Sequence, residues 1–273
     1  MLLSGSSALW LPKFDEDQVL AALPRATVMM GVPTFYVRLL ADRRFTGEAA
    51  RGVRVFISGS APLLPSTFEA FEARIGQPIL ERYGMSEAAI ITTNPLHGAR
   101  IAGSVGYPLP GVLLRIAGDG IVQIKGPSVT GGYWRNPAKT AEAFTADGYF
   151  ITGDVGRQDP DGRLWLSGRA SDLIICGGLN VYPKEIELVL DELEGVSESA
   201  VIGLPHPDLG EAVVAVVAGQ GEEAAMIAAA RTQLAAFKCP KRVIFVDDLP
   251  RNAMGKVLKV ELRRRYAETF GRQ

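Results

Sequence analysis

"RVFISGSAPLLPSTFEAFEARIGQPILERYG", residues 54–84, decides the fold. Its opening "RVFISGS" is an apolar strand that ends in a Gly/Ser turn. Pro65 then opens an amphipathic segment, with Phe68, Phe71 and Ile75 at helical spacing and Gly76 at its close. "PILERYG" is a second strand. Strand, helix, strand in that order predicts parallel strands with helices on the sheet faces. Ligands of such sheets bind at the carboxyl ends of the strands. Both "SGSAP" (58–62) and "RYGMSE" (82–87) lie at that edge.

Working outward, "GVPTFYVRLL" upstream reads as an amphipathic helix carrying Arg38, and the opening "MLLSGSSALWLP" as a buried strand entered partway through. That opening lacks the basic flank of a signal peptide. Downstream, between about Gly103 and Gly168, glycines and short β segments dominate: "GVLLRIAG", "GIVQIKGP", "GYFITGD", "GRLWLSGR". They predict an antiparallel or barrel-like β subdomain with turns such as "DPDG". After "GRASD" (168–172) the pattern changes again. "PKEIELVLDELEG" is a helix, "SAVIGLP" and "EAVVAVVAG" are strands, "EEAAMIAAARTQLAAF" is a helix, "KRVIFVDDLP" a strand and "KVLKVELRRRYAETF" a closing helix. The expected fold is α/β: a large domain over 1–171 (an α/β part to about 98, then the β subdomain), followed by a small α+β domain over 172–273.

The 273 residues exceed what one small domain needs and suit two unequal ones. Hydrophobic residues make up 47% and charged residues 22%, the balance of a soluble globular protein. A formal net charge of -1 gives no basic field for nucleic acid, and no Lys/Arg block suggests a membrane surface. No apolar run reaches the ~20 residues of a membrane-spanning helix. Cys176 and Cys239 belong to no CxxC pair, so a reduced, cytoplasmic setting is the expectation. Cys176 reads as a small buried filler, since nothing basic adjoins it.

Five clusters carry chemistry: "SGSAPL" (58–63), "RYGMSE" (82–87), "YFITGD" (149–154), "GRASDLIICGGLNVYPKEIE" (168–187) and "LPRNAMGKVLK" (249–259). Singly each is a weak to moderate signal; five in this order resemble the adenylate-forming superfamily, which includes acyl-CoA synthetases, luciferases and peptide-synthetase adenylation domains. The resemblance implies a later part of a large AMP-binding domain followed by a mobile C-terminal domain. It also implies ATP or AMP, Mg²⁺ and coenzyme A as ligands.

Carried over position by position, it places Gly59, Ser60, Ala61, Arg82, Tyr83, Gly84 and Met85 around the nucleotide. Tyr83 would offer a flat face to adenine, Gly84 a close backbone approach, Ser86 a donor to phosphate and Glu87 a hard oxygen ligand for Mg²⁺. Alone, the same pentapeptide reads as a strand-end turn with a core tyrosine and a solvated glutamate. Asp154 and Arg169 would hold the ribose; singly they read as a turn cap and a surface ion pair. Lys256 would bridge carboxylate and phosphate oxygens in the adenylation step, with Gly255 giving a mobile tip. Asp172 would be the hinge of the small domain. Gly177, Gly178 and Leu179 would line the narrow path of the coenzyme A arm, although a "GGLN" stretch equally suits a loop with positive φ.

"GVPTFYVRLL", "LPKFD", "LPRNAMGKV" and an Arg shortly before "AGSVG" look most like malonyl-CoA synthetases. A second carboxylate invites a guanidinium fork. Arg100 is the candidate, with a plain loop role weighing equally, and Arg38 is the reserve. His97 reads as a loop residue, and His206 as structural, with Asp208 and Glu211 bracing the small domain. The family's upstream Ser/Thr/Gly-rich phosphate loop has no counterpart here. The expectation is therefore a later portion of a synthetase, with an exposed sheet edge open to association and little or no ligase activity alone. A medium-chain or aryl acyl-CoA synthetase, a peptide-synthetase module and a non-catalytic adenylate-binding remnant are the alternatives.

Overall fold

A computed structural model of the chain describes residues 5–252 and 256–271. It places β2 at Val55–Ser58, α3 at Pro65–Ile75 and β3 at Leu80–Met85, as the spacing in residues 54–84 requires. Pro65 sits in the first turn of α3, and Gly76 closes the helix at φ 81 in the left-handed region. β2 and β3 pair in parallel, with Ser58 opposite Glu81.

Upstream lie α1 (Glu16–Ala22), β1 (Val28–Gly31) and α2 (Pro33–Ala41). The Asp15 carboxylate caps α1 by accepting from Gln18 N at 3.0 Å. β1 pairs in parallel with β2. The helices cover these strands with an aromatic core: Tyr36, Phe45, Phe56 and Phe71 are fully buried and meet largely edge to face. Each such ring buried adds roughly 1.5–3 kcal/mol.

The β-rich stretch continues as β4 (Ala89–Thr93), β5 (Ser104–Pro108), β6 (Leu113–Ile116), β7 (Ile121–Lys125), the short helix α4 (Pro137–Glu142), β8 (Phe150–Gln158) and β9 (Leu164–Arg169). It forms no separate sheet. Its strands extend the parallel ones into one nine-stranded path, β1-β2-β3-β4-β5-β9-β8-β7-β6, in which β3/β4, β4/β5, β5/β9 and β6/β7 pair antiparallel. β1 is one end of that path, with Val28 and Met30 partly exposed. The start of the chain departs from the sequence expectation: residues 5–10 are exposed and lie in no strand, and Trp10 is 85% exposed. No described strand pairs with them to bury their apolar side chains.

The remaining elements are β10 (Ile174–Cys176), β11 (Leu179–Val181), α5 (Pro183–Leu190), β12 (Val196–His206), β13 (Gly210–Gly219), α6 (Glu223–Arg231), β14 (Arg242–Val246) and α7 (Lys259–Arg265). They build a second sheet, β11-β10-β13-β12, with β14 parallel to β13. β13 reads "GEAVVAVVAG", a near-continuous apolar run, because the strand is covered on both faces: Val213, Val214, Val216 and Val217 are all buried. Cys176 is buried, as a filler should be. By internal packing the chain divides into two compact units: residues to Thr152 with Gly156–Leu166, and Gly153–Val155 with Ser167 onward.

Candidate active site

In the first unit, β3 ends at Met85 and turns through Ser86, Glu87 and Ala88 into β4. Gly84 is required by the hairpin itself: a Cβ there would stand 2.1 Å from the Ala89 carbonyl oxygen. The close approach that the sequence suggests is thus made by the partner strand. Ser86 is exposed on the turn and Glu87 half-buried. Glu87 Oε1 accepts from the Tyr133 hydroxyl at 3.1 Å, and its backbone carbonyl accepts from Thr130 N at 2.7 Å. Burial, and then the adjacent Glu87 carboxylate, raise the Tyr133 phenol above its ordinary range, so it stays a donor.

Tyr83 is 8% exposed and packs with Ala88, Ile91 and Val105 in the core of this region. Most of its ring is therefore spent on the fold, and a base would meet only its outer part. Met85 packs against the same cluster. Gly59 is buried with the Arg82 stem against it, since a Cβ at Gly59 would lie 3.3 Å from Arg82 Cγ. Ser60 holds φ 70, a left-handed backbone that is unusual for a non-glycine, and Ser60 and Ala61 are exposed.

Arg100 is engaged in the fold. Its Nη1 donates to the Pro78 carbonyl at 2.6 Å, Nη2 to Leu96 at 2.9 Å and Nε to Pro95 at 3.2 Å. Partial burial lowers its pKa. Of five N–H donors, only those left on Nη1 and Nη2 are open to a ligand. Arg38, the reserve, forms a two-pronged pair with Glu16 at 2.6 and 2.8 Å on the surface, above the Phe14 ring. His97 is exposed in its loop.

In the second unit, Asp154 on β8 is 6% exposed and pairs with Arg169 Nε at 2.8 Å. The two residues expected at the ribose are thus brought together. Asp172 pairs with Arg263 of α7 at 3.2 Å. Gly177 (φ 57) and Gly178 (φ 80) form the two-residue turn between β10 and β11. Positive φ at both central positions is the hairpin geometry that glycine pairs supply. Leu179 beyond the turn is 48% exposed. Lys256 is exposed, and its backbone N–H donates to Asn252 Oδ1 at 2.9 Å. Gly255, the expected mobile tip, lies outside the described residues. His206 stacks edge-on with Phe270, and Glu211 Oε2 accepts from Ile175 N at 2.9 Å, both bracing roles.

Among the described residues, no group of three or more His, Cys, Asp or Glu gathers to hold a metal. Glu87 alone suits a Mg²⁺ that arrives on a nucleotide, because that ion takes one or two carboxylates and fills its shell with phosphate oxygens and water. No described helix is long and apolar enough to cross a membrane. Sequence reasoning missed two residues here. Tyr133 lies in "GGYWRNP", where a loop aromatic between glycine and proline is the only signal. Glu81, beside the motif, is 3% exposed and reads in the sequence as an ordinary solvated charge.

The AMP-binding enzyme family matches residues 1–134, and the AMP-binding enzyme C-terminal domain matches residues 185–256. The chain is 41% identical to a malonate–CoA ligase of Arabidopsis thaliana over 268 residues, 87% of this chain and 44% of that one. It is 36% identical to an indoleacetate–CoA ligase of Aromatoleum aromaticum over 100% of this chain and 57% of the relative. The crystal structure of ATP-bound MatB from Rhodopseudomonas palustris superposes with a TM-score of 0.91 at 51% identity, covering 96% of this chain and 55% of that one. The chain spans about half the length of these relatives. With both family models matched in order and the fold shared, the chain belongs to the adenylate-forming, AMP-binding enzyme family.

Proposed function

We propose that this chain is the later portion of an ATP-dependent acid–CoA ligase that works through an acyl-adenylate, with malonate the favoured acid. In that chemistry a carboxylate oxygen attacks the α-phosphorus of ATP and pyrophosphate leaves. A thiol then attacks the acyl carbon and AMP leaves. The observation that carries the reading is the strand-end turn: Glu87 is presented beyond Tyr83 and Gly84, with one oxygen held by Tyr133. Oxygen Oε2 accepts no hydrogen bond among the described residues and is available to a nucleotide-borne Mg²⁺.

The remaining roles follow the family. Ser86 donates to phosphate, Gly59, Ser60, Ala61, Arg82 and Met85 frame the nucleotide, and Asp154 and Arg169 take the ribose hydroxyls. Lys256 offsets charge between carboxylate and phosphate, Asp172 is the hinge, and Gly177, Gly178 and Leu179 meet coenzyme A. Domain boundaries at 171/172 belong to the same proposal. Malonate is favoured by the likeness to a malonate–CoA ligase. Arg100 contributes to that preference only through its remaining N–H groups or by holding the loop on which it sits.

A second reading, an aryl acid, is favoured by the likeness to an indoleacetate–CoA ligase over the whole chain. Calorimetry on the 273-residue chain with sulfamoyl-adenosine analogues carrying malonyl, octanoyl and indoleacetyl groups separates the readings. The malonyl analogue is expected to bind at least about tenfold tighter, roughly 1.4 kcal/mol, and Tyr83→Ala and Asp154→Ala to abolish binding of all three. Equal binding of the three acyl groups would remove the malonate assignment, and indifference to both substitutions would remove the nucleotide site.

A further inference from the structure

At the start of β3, against the Ser58–Leu63 loop, lies a buried carboxyl that none of these roles uses. Glu81 is 3% exposed, and its Oε2 accepts from Leu63 N at 3.2 Å, at the far end of the Ser58–Leu63 loop. Oε1 makes no hydrogen bond of ordinary geometry among the described residues, although the Gly103 peptide group lies close enough to pull on the carboxyl. The Glu81 backbone carbonyl accepts from Asn94 N at 3.0 Å and Asn94 Nδ2 at 3.2 Å. Ser58 Oγ, opposite Glu81 in the register, and Asn94 Oδ1 are likewise buried without described partners. A carboxyl so enclosed is costly when ionised, and native proteins leave few such groups unsatisfied.

We infer that Glu81 is a positioning residue for the nucleotide site: its carboxyl ties the loop bearing Gly59, Ser60 and Ala61 to the strand bearing Tyr83. The inference rests on the nucleotide reading proposed above. Glu81 touches no reacting atom in it; Glu81 acts through the Leu63 N–H and the loop.

The tie depends on the proton. A carboxyl enclosed in this way ionises less readily than one wetted by an opened loop. Burial raises Glu81 to about 7, against the opposing pull of the Leu63 and Gly103 peptide groups. The charged side chains on the elements around it are Arg82, whose stem lies against Gly59, and Arg100, which is engaged with the Pro78, Pro95 and Leu96 carbonyls. Neither contributes to the shift. Tyr36 on α2 donates its hydroxyl to the Ile57 carbonyl, and burial keeps it protonated. An opening that wets the carboxyl is therefore easier above neutrality than below it, and the loop is held more firmly on the acid side.

The test measures binding of adenosine 5′-sulfate, whose charge is constant over the range, to the full chain between pH 6 and 8. Affinity of the wild type is expected to fall about three- to tenfold across that range. Glu81→Gln should bind at the level of the acidic limb at every pH, and Tyr83→Ala should not bind. A Glu81→Gln variant that keeps the wild-type slope would overturn the inference. Tyr83→Ala binding like wild type, or no binding by the wild type, would overturn the nucleotide reading instead. Amide exchange at Leu63 in the wild type, corrected for intrinsic rate, decides the tie without variant or ligand: protection should fall from pH 6 to 8, and a flat profile would overturn it.

Discussion

Two buried glutamates in this molecule are treated in opposite ways. Glu187, on α5, is 5% exposed and fully answered: Lys259 Nζ lies at 2.6 Å, Lys184 Nζ at 3.7 Å, and Val201 N donates at 2.9 Å. Glu81 is buried as deeply, yet it has peptide groups and no cation among the described residues, and one oxygen makes no hydrogen bond of ordinary geometry. The first carboxylate locks a helix to a sheet. The second sits at the start of β3, tied to the loop that carries Gly59, Ser60 and Ala61. A buried charge with a complete partner set marks architecture, and one left short marks a place where something other than stability was selected.

The sharpest way to break this comparison is to remove a cation from Glu187. Lys259→Met leaves a buried carboxylate with a single distant lysine and is expected to cost about 3–5 kcal/mol, read as a lower urea midpoint. A loss below about 1 kcal/mol would mean that Lys184 or water replaces the missing charge.

The next largest effect is read against pH. Glu81 is raised in the folded chain to about 7 from an ordinary 4.5. Between those values the folded state holds a proton that the unfolded state has lost, so stability falls as pH rises through that window and is lowest above it. The Glu81 share of the slope should amount to about 3 kcal/mol and vanish in Glu81→Gln. Denaturant titrations at pH 5 and pH 8 read it, with Asp191 contributing to the same window because burial lifts it to about 6. Persistence of the whole slope in Glu81→Gln would assign it to Asp191 and similar groups.

The smallest effect sharpens the comparison at the site itself. Tyr133→Phe deletes one hydrogen bond to Glu87 and should weaken ATP·Mg²⁺ binding by about 1 kcal/mol, roughly fivefold, while leaving AMP binding and the melting temperature unchanged. Equal weakening of both ligands would show that Tyr133 shapes the pocket rather than the carboxylate.

Much of the fold was legible in the sequence, because proline and glycine punctuate it and apolar spacing fixes each period. The helix at Pro65–Ile75 and the strands around it are the clearest case. α4 was not legible: it buries no residue, so it carries no apolar stripe, and only the Asn136 cap and Pro137 in the first turn mark its start. The site motifs were legible as a linear order, and the structure brings Asp154 to Arg169. What the sequence hid was partnership across distance. Tyr133 reaches Glu87 over 46 positions, and Arg100 is engaged by carbonyls of Pro78, Pro95 and Leu96, groups that carry no side-chain signature. Glu81 was hidden for a simpler reason, since charge is visible in a sequence and burial is not.

The Gly177–Gly178 turn has a consequence that rests on handedness. Both residues occupy backbone space natural to the mirror image of an ordinary amino acid. At Gly178 an L-alanine would strain the chain although its Cβ would meet nothing within 4 Å, whereas the backbone preference of a D-alanine matches the bend. A semisynthetic protein carrying the D form would keep the bend yet place a methyl group on its surface. Chirality thereby separates two reasons for a glycine that ordinary mutagenesis always removes together: the shape of the backbone and the emptiness beside it.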